Sequence, residues 1–157
     1  MADRKTIAQA FNKLLIRFPA YMEKNKDKLQ STMNMWVAAF KETPDDVLLK
    51  ATEMIIESDQ AYFPNTAEVE EKVRRAVLIN NQKIATYQAR LGLYLGYTAA
   101  TPEEIDAWVD LHRAIHTERG WTTKDFKETV KLFKDQLNEA IRELPEAYKK
   151  ANRISEV

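Results

Sequence analysis

Apolar residues recur at steps of three and four along nearly the whole chain, and no stretch alternates apolar and polar positions long enough to make a strand. Ile7, Phe11, Leu14, Leu15 and Phe18 form the first stripe, and Pro19 ends it, so a helix is predicted to run to about Phe18. Glu23 to Lys28 is lysine-rich without an apolar position and reads as a solvated connection. Met33, Trp36, Val37 and Phe40 then lie along one face, followed by a break at Lys41 to Thr43. Thr43 as cap, Pro44 in the first turn and Asp46 near the positive end of the helix dipole predict a new start. Val47, Leu48, Ala51, Met54, Ile55 and Ile56 form its stripe.

Tyr62-Phe63-Pro64-Asn65-Thr66-Ala67-Glu68-Val69 is the best-marked boundary. Pro64 disfavours helix for the residue before it, Asn65 can accept from the first free amides, and Glu68 can reach back to the cap's own N–H. From there Val69, Val73, Val77, Asn80, Ile84, Tyr87 and Leu91 keep one face for about seven turns. Gly92-Leu93-Tyr94-Leu95-Gly96-Tyr97 holds two of the three glycines in the chain and is expected to end that helix as an apolar turn. Exposed leucines and tyrosines in a linker would be a liability, so this segment either packs inward or meets a partner, and Tyr94 is a candidate contact.

Thr101-Pro102-Glu103-Glu104 repeats the cap, proline and acid design. It opens a helix with Ile105, Trp108, Val109, His112 and Ile115 on one side, expected to close at Gly120. Thr122 caps a last helix carrying Phe126, Val130, Phe133, Leu137, Ile141 and Leu144, with Pro145 ending or kinking it. The short Gly120-Trp121 connection implies an antiparallel pair. The expected fold is all-α with about six helices: an N-terminal bundle over residues 1–90, continued by a long helix into a C-terminal helical hairpin over 91–157.

Charge narrows the function classes. Lys and Arg number 24, as do Asp and Glu, and the balance is local: residues 1–90 carry 14 basic and 12 acidic side chains, residues 91–157 carry 10 and 12. A protein that binds duplex by neutralising phosphates would show a basic surplus, so protein partners are favoured over nucleic acid. Cysteine is absent, which removes disulfides, thiolate catalysis and cysteine-ligated metals. No run approaches the ~18 apolar residues of a membrane span, and Met1 to Lys13 lacks a signal-peptide core, so a cytoplasmic protein is expected.

Candidate chemistry is sparse. The glycines do not form Gly-x-x-x-x-Gly-Lys-Ser/Thr, so the backbone cradle for nucleotide phosphates is missing and an ATPase is not expected. His112 and His116, at i and i+4, share a helix face where a divalent metal could bind. Arg113 stands where a metalloprotease motif needs Glu, however, and no third His or Cys exists, so both read as packing residues and no cofactor is expected. Asp45/Asp46, Glu70/Glu71 and Glu103/Glu104 are adjacent pairs pointing about 100° apart, better suited to helix starts than to paired acid–base work. Lys72, Arg74 and Arg75 either touch an acidic partner or nucleic acid, or pair with Glu68, Glu70 and Glu71 one turn back. Trp36 and Trp108 lie on stripes and read as core. Trp121, beside Gly120, is either a lid on the connection or an interface anchor. Tyr62 and Phe63 have the same two readings, Phe63 packing back on its helix as a hydrophobic staple or meeting a partner.

Taken in order, the Trp36 helix, the break, the Pro44 helix ending in two isoleucines and Phe63-Pro64-x-Thr66-x-Glu68-Val69 resemble the phage-encoded loader and inhibitor proteins of replicative DNA helicases. The likeness covers roughly residues 6–75. It implies a small helical protein of the bacterial host cytoplasm, not an enzyme, whose partners are a hexameric replicative helicase and an origin-binding protein. Absence of the P-loop fits, since cellular helicase loaders are commonly P-loop ATPases and this phage family is not. In that family a mobile C-terminal part engages the helicase, whereas residues 101–144 here are strongly patterned. No helicase-contacting residue transfers by motif match, and the candidate partner-binding residues, taken from their own positions in the chain, are Tyr62, Phe63, Arg74, Arg75, Tyr94 and Trp121. A helical nucleic-acid-binding protein, using Lys72, Arg74, Arg75 and the Lys24, Lys26, Lys28 loop, and a self-associating bundle remain the alternatives.

Overall fold

A computed structural model describes all 157 residues. Helix accounts for 78% of them and there is no strand, so the fold is all-α. The order is α1 (Arg4–Arg17), α2 (Pro19–Lys24), a 3-10 turn (Lys26–Lys28), α3 (Leu29–Phe40), α4 (Asp45–Ile56), α5 (Thr66–Thr98), α6 (Pro102–Ile115), α7 (Thr123–Glu143) and α8 (Glu146–Asn152). No helix is long and apolar enough to cross a membrane. The chain divides into two compact units, Met1–Asn80 and Asn81–Val157, with α5 running through the division.

In the first unit α1 packs on α3 and α4. Ile7, Phe11 and Leu14 of α1, Trp36 and Phe40 of α3, Leu48 and Ile55 of α4 and Val69 of α5 form one buried cluster. Each such side chain contributes about 1.5–3 kcal/mol by leaving water. Phe11 meets Trp36 edge to face at 5.2 Å, and Trp36 meets Phe40 at 5.3 Å, the arrangement the ring quadrupoles favour. Buried Thr52 satisfies its hydroxyl by donating to the Leu48 carbonyl at 2.8 Å.

Local capping fixes where these helices begin. Asp3 Oδ1 accepts from the Thr6 amide at 2.6 Å, and the Asp3 amide donates to Asp45 Oδ1 at 3.2 Å, joining the starts of α1 and α4. Thr43 is not the α4 cap: Pro44 occupies that position without a side-chain bond, and Asp45 and Asp46 supply the first-turn acids. Pro44 itself has extended backbone, with ψ 143°, so the first helical residue is Asp45 and the start lies one residue on. Glu23 to Lys28 is solvated as expected, with every residue but Asn25 exposed, yet it is made of helical turns. Pro19, with φ preset, nucleates α2, and the 3-10 turn follows.

In the second unit α6 packs on α7. Val109, Phe126, Leu137, Ala140, Ile141 and Leu144 are its buried residues. Tyr97 lies 4.9 Å from Phe133, 5.5 Å from Phe126 and 5.7 Å from Trp108. Arg90 Nη1 donates to the Gln136 carbonyl at 2.8 Å and pairs with Glu139 at 3.2 Å, tying α5 to α7. Thr101 with Glu104 and Thr122 with Asp125 form complete capping boxes at α6 and α7. The Thr122 hydroxyl and then its amide hold the Asp125 carboxyl below the usual range.

Two boundary expectations are corrected in this unit. Gly92-Leu93-Tyr94-Leu95-Gly96-Tyr97 is no turn but the continuation of α5 to Thr98. Neither glycine has positive φ, and anchored Tyr97 and Arg90 outweigh the roughly 1 kcal/mol that each helical glycine costs. α6 ends at Ile115, with His116 as C-cap, well before Gly120. Pro145 follows the end of α7 at Glu143, as expected of a proline that stops a helix, and is the N-cap of a separate eighth helix.

Candidate functional site

Phe63 is the hub of an aromatic cluster in the first unit. Its ring stacks on Tyr21 at 4.0 Å and lies 5.6 Å from Phe11, 6.0 Å from Trp36 and 6.2 Å from Phe18. The ring neighbours come from α1 and its C-cap, α2 and α3, so Phe63 packs across the unit, more widely than a staple on its own helix. Pro64 explains the difference: it holds the chain extended and is itself buried, which turns the Phe63 side chain across the unit.

Asn65 and Glu68 make the predicted reciprocal cap, Glu68 N–H to Asn65 Oδ1 at 2.9 Å and Asn65 N–H to Glu68 Oε2 at 2.8 Å. The second oxygen of Glu68 accepts the Tyr62 phenol at 3.0 Å. That bond, then the carboxylate's charge, raises the Tyr62 pKa above its ordinary value. Tyr62 is 63% exposed yet fixed in place. With Phe18, Tyr21, Phe63, Arg17 and Lys24 it lines an open groove of about 610 Å³. The groove has an aromatic floor and a basic edge, with the Arg17 guanidinium 5.0 Å from the Phe18 ring centre.

Arg74 and Arg75 project from the same unit and are exposed. Neither they nor Lys72 form the expected ion pairs with Glu68, Glu70 or Glu71. Glu68 is already occupied by the cap and by Tyr62, and an exposed pair contributes too little to order two long side chains.

In the second unit Trp121 stacks on His112 at 4.6 Å, and His112 stacks on Trp108 at 4.8 Å. The imidazole is thus held between two indoles. Its Nδ1 lies 2.9 Å from the Trp108 carbonyl, an acceptor, which assigns the proton to Nδ1. His116 lies 6.4 Å further along, and no group of three or more ligating side chains assembles anywhere. Gly120 brings the Trp121 loop onto α6 closely enough that a Cβ there would stand 2.6 Å from Arg113 Cγ. Trp121 is accordingly a half-buried lid, and Tyr94 is half-buried on α5.

Trp108 is not core: it is 41% exposed. A unit of so few helices buries only one side of α6, through Val109, and leaves the neighbouring side uncovered. Leu111, 56% exposed, and Ile115, 64% exposed, continue from Trp108 along that side. Beside them Gly92, Gly96, Tyr97, Glu104, Trp108 and Phe126 line a groove of about 500 Å³. Leu111 is the residue that the sequence reading passed over, although the spacing 104, 108, 111, 115 is itself a regular stripe.

The candidate partner-binding residues thus divide between the units. Tyr62, Phe63, Arg74 and Arg75 belong to the first, Tyr94 and Trp121 to the second. Of these the structure brings only Tyr62 and Phe63 together in one groove. No family model, curated protein or solved structure matches the chain.

Proposed function

We propose that the chain is a non-enzymatic DNA-replication accessory protein of a phage or prophage. It binds a replicative hexameric helicase, holds it inactive in solution and delivers it to origin-bound protein, without hydrolysing nucleotide. The observation that carries this reading is the dual use of Tyr62 to Val69, the segment on which the resemblance to helicase loaders and inhibitors rests. Phe63 closes the core of the first unit, while Tyr62 stands fixed at the rim of an aromatic, basic-edged groove. Such a groove suits an extended or helical segment that presents an apolar anchor beside a carboxylate.

Purified chain incubated with host or phage-encoded hexameric helicase is expected to co-purify with it at micromolar concentration and to suppress its unwinding in solution. Tyr62→Ala is expected to weaken the complex without changing helical content. Absence of binding to either helicase overturns the proposal.

A second reading, direct nucleic-acid binding, draws on the exposed Arg74 and Arg75, which have no acidic partner. A gel shift that collapses steeply with added salt, and that Arg74→Ala/Arg75→Ala removes, would favour it.

A further inference from the structure

We propose that the groove bordered by α5, α6 and α7 in the second unit binds a small organic cation, an ammonium group carried on an apolar or aromatic body. This goes beyond the helicase reading and uses the other unit. At about 500 Å³ the groove lies within the roughly 300–1,000 Å³ of small-molecule sites. Each of the three helices contributes one ring to its lining: Tyr97, Trp108 and Phe126. Tyr97 stands 5.7 Å from Trp108 and 5.5 Å from Phe126, inclined to them by 51° and 31°, so neither contact is a flat stack. His112 stacks on Trp108 and steadies it, while Trp108 stays 41% exposed. Several aromatic rings bordering one space are what an alkylammonium group recognises, because the negative faces of the rings attract it.

The sign of the ligand's charge follows from Glu104, the one charged residue that lines the groove. No lysine or arginine forms an ion pair with it. Its carboxylate is already held in place, since Oε2 accepts the Thr101 amide at 2.9 Å within the α6 capping box. Oε1 is left for a second donor or a cation. An ammonium group there gains the attraction of the rings and of a carboxylate whose ordering cost the fold has already met.

The glycines supply an independent observation. Gly92 and Gly96 lie one turn apart on α5, and both line the groove. A Cβ on either would meet nothing within 4 Å, so packing within the chain accounts for neither. Alanine would make the more stable helix at both positions. What the glycines provide is bare backbone that a bound molecule can approach closely.

The probe is benzyltrimethylammonium, titrated into the isotope-labelled full chain and read at the indole N–H signals by NMR, with Trp108 assigned by loss of its signal in Trp108→Phe. The Trp108 signal is expected to shift saturably at millimolar probe while that of buried Trp36 stays in place. The neutral dimethyl benzyl carbinol, of nearly the same shape, and the anion phenylacetate are each expected to bind about fivefold more weakly or less. Glu104→Gln preserves the capping box, which glutamine forms as glutamate does, and is expected to weaken the cation by about fivefold or more while leaving the carbinol unchanged. Gly96→Leu fills the groove from its open floor and is expected to abolish the shift, with helical content by circular dichroism unchanged. No saturable shift, equal binding of cation, alcohol and anion, or either variant binding the cation like the parent chain would each overturn the proposal. None of these readouts involves a helicase, so failure here is distinct from failure of the proposed function.

Discussion

Phe63 shows how a partly exposed residue can hold a unit together. Four rings from three parts of the chain close on it, so its removal opens a gap that no single neighbour can fill. Phe63→Ala is expected to destabilise the first unit by about 3 kcal/mol or more, and Phe63→Leu by clearly less, in urea unfolding followed at Trp36. A change below about 1 kcal/mol for alanine would mean that the cluster does not depend on its centre. Beside it, Tyr62 makes a pH-dependent contribution whose sign follows from the bond. The neutral phenol donates to Glu68, and the phenolate cannot, so the folded pKa lies above the ordinary 10.0. The stabilisation is complete below the unfolded value and is lost as pH rises through the raised folded value. In an absorbance titration read as the difference from Tyr62→Phe, Glu68→Gln is expected to bring the Tyr62 transition down toward 10.0. An unmoved transition would remove Glu68 as the cause.

Helix starts were legible in the sequence because a cap acts through fixed local spacing. Asn65 with Glu68, Thr101 with Glu104 and Thr122 with Asp125 bond as their offsets require. Helix ends were less so, because what stops a helix is often tertiary. The two glycines expected to end α5 sit inside it with helical backbone, held by packing at Tyr97 on one side of the helix, while the exposed glycine side stays empty. Gly92→Ala and Gly96→Ala, each adding a methyl group to open space and removing unfolded-state freedom, are expected to stabilise the second unit by about 0.5–1 kcal/mol apiece. Thermal melts of the two variants check this. Destabilisation would mean that the glycines serve a bend or a close approach. The exposed side of α6 was hidden for a related reason. Periodicity marks apolar sides but does not say which of two adjoining stripes, 105/109/112 or 108/111/115, the rest of the chain will cover.

At the scale of the whole molecule, burial is uneven between the units. Of the ten largest fully buried side chains, Ile7, Leu14, Trp36, Phe40, Leu48, Thr52, Ile55, Pro64 and Val69 lie in Met1–Asn80, and only Leu137 lies in Asn81–Val157. The two share one helix, yet α5 buries only Val69 and Ala76, both in its first third, and Asn80, Asn81 and Gln82 make a polar stretch at the division. A helix without buried side chains transmits little cooperativity, since isolated helical turns are marginal in water. The second unit is therefore expected to unfold first, together with the C-terminal part of α5. Trp36 is the only tryptophan of the first unit, so a Trp108→Phe/Trp121→Phe variant reports on that unit alone. In urea its far-UV ellipticity is expected to fall in two steps, the first leaving Trp36 emission unchanged and the second carrying the whole fluorescence change. Removing the two indoles is expected to lower the first midpoint without moving the second, because both belong to the second unit. A single transition in which ellipticity and Trp36 emission coincide would instead make the chain one cooperative body, with α5 as the coupling element.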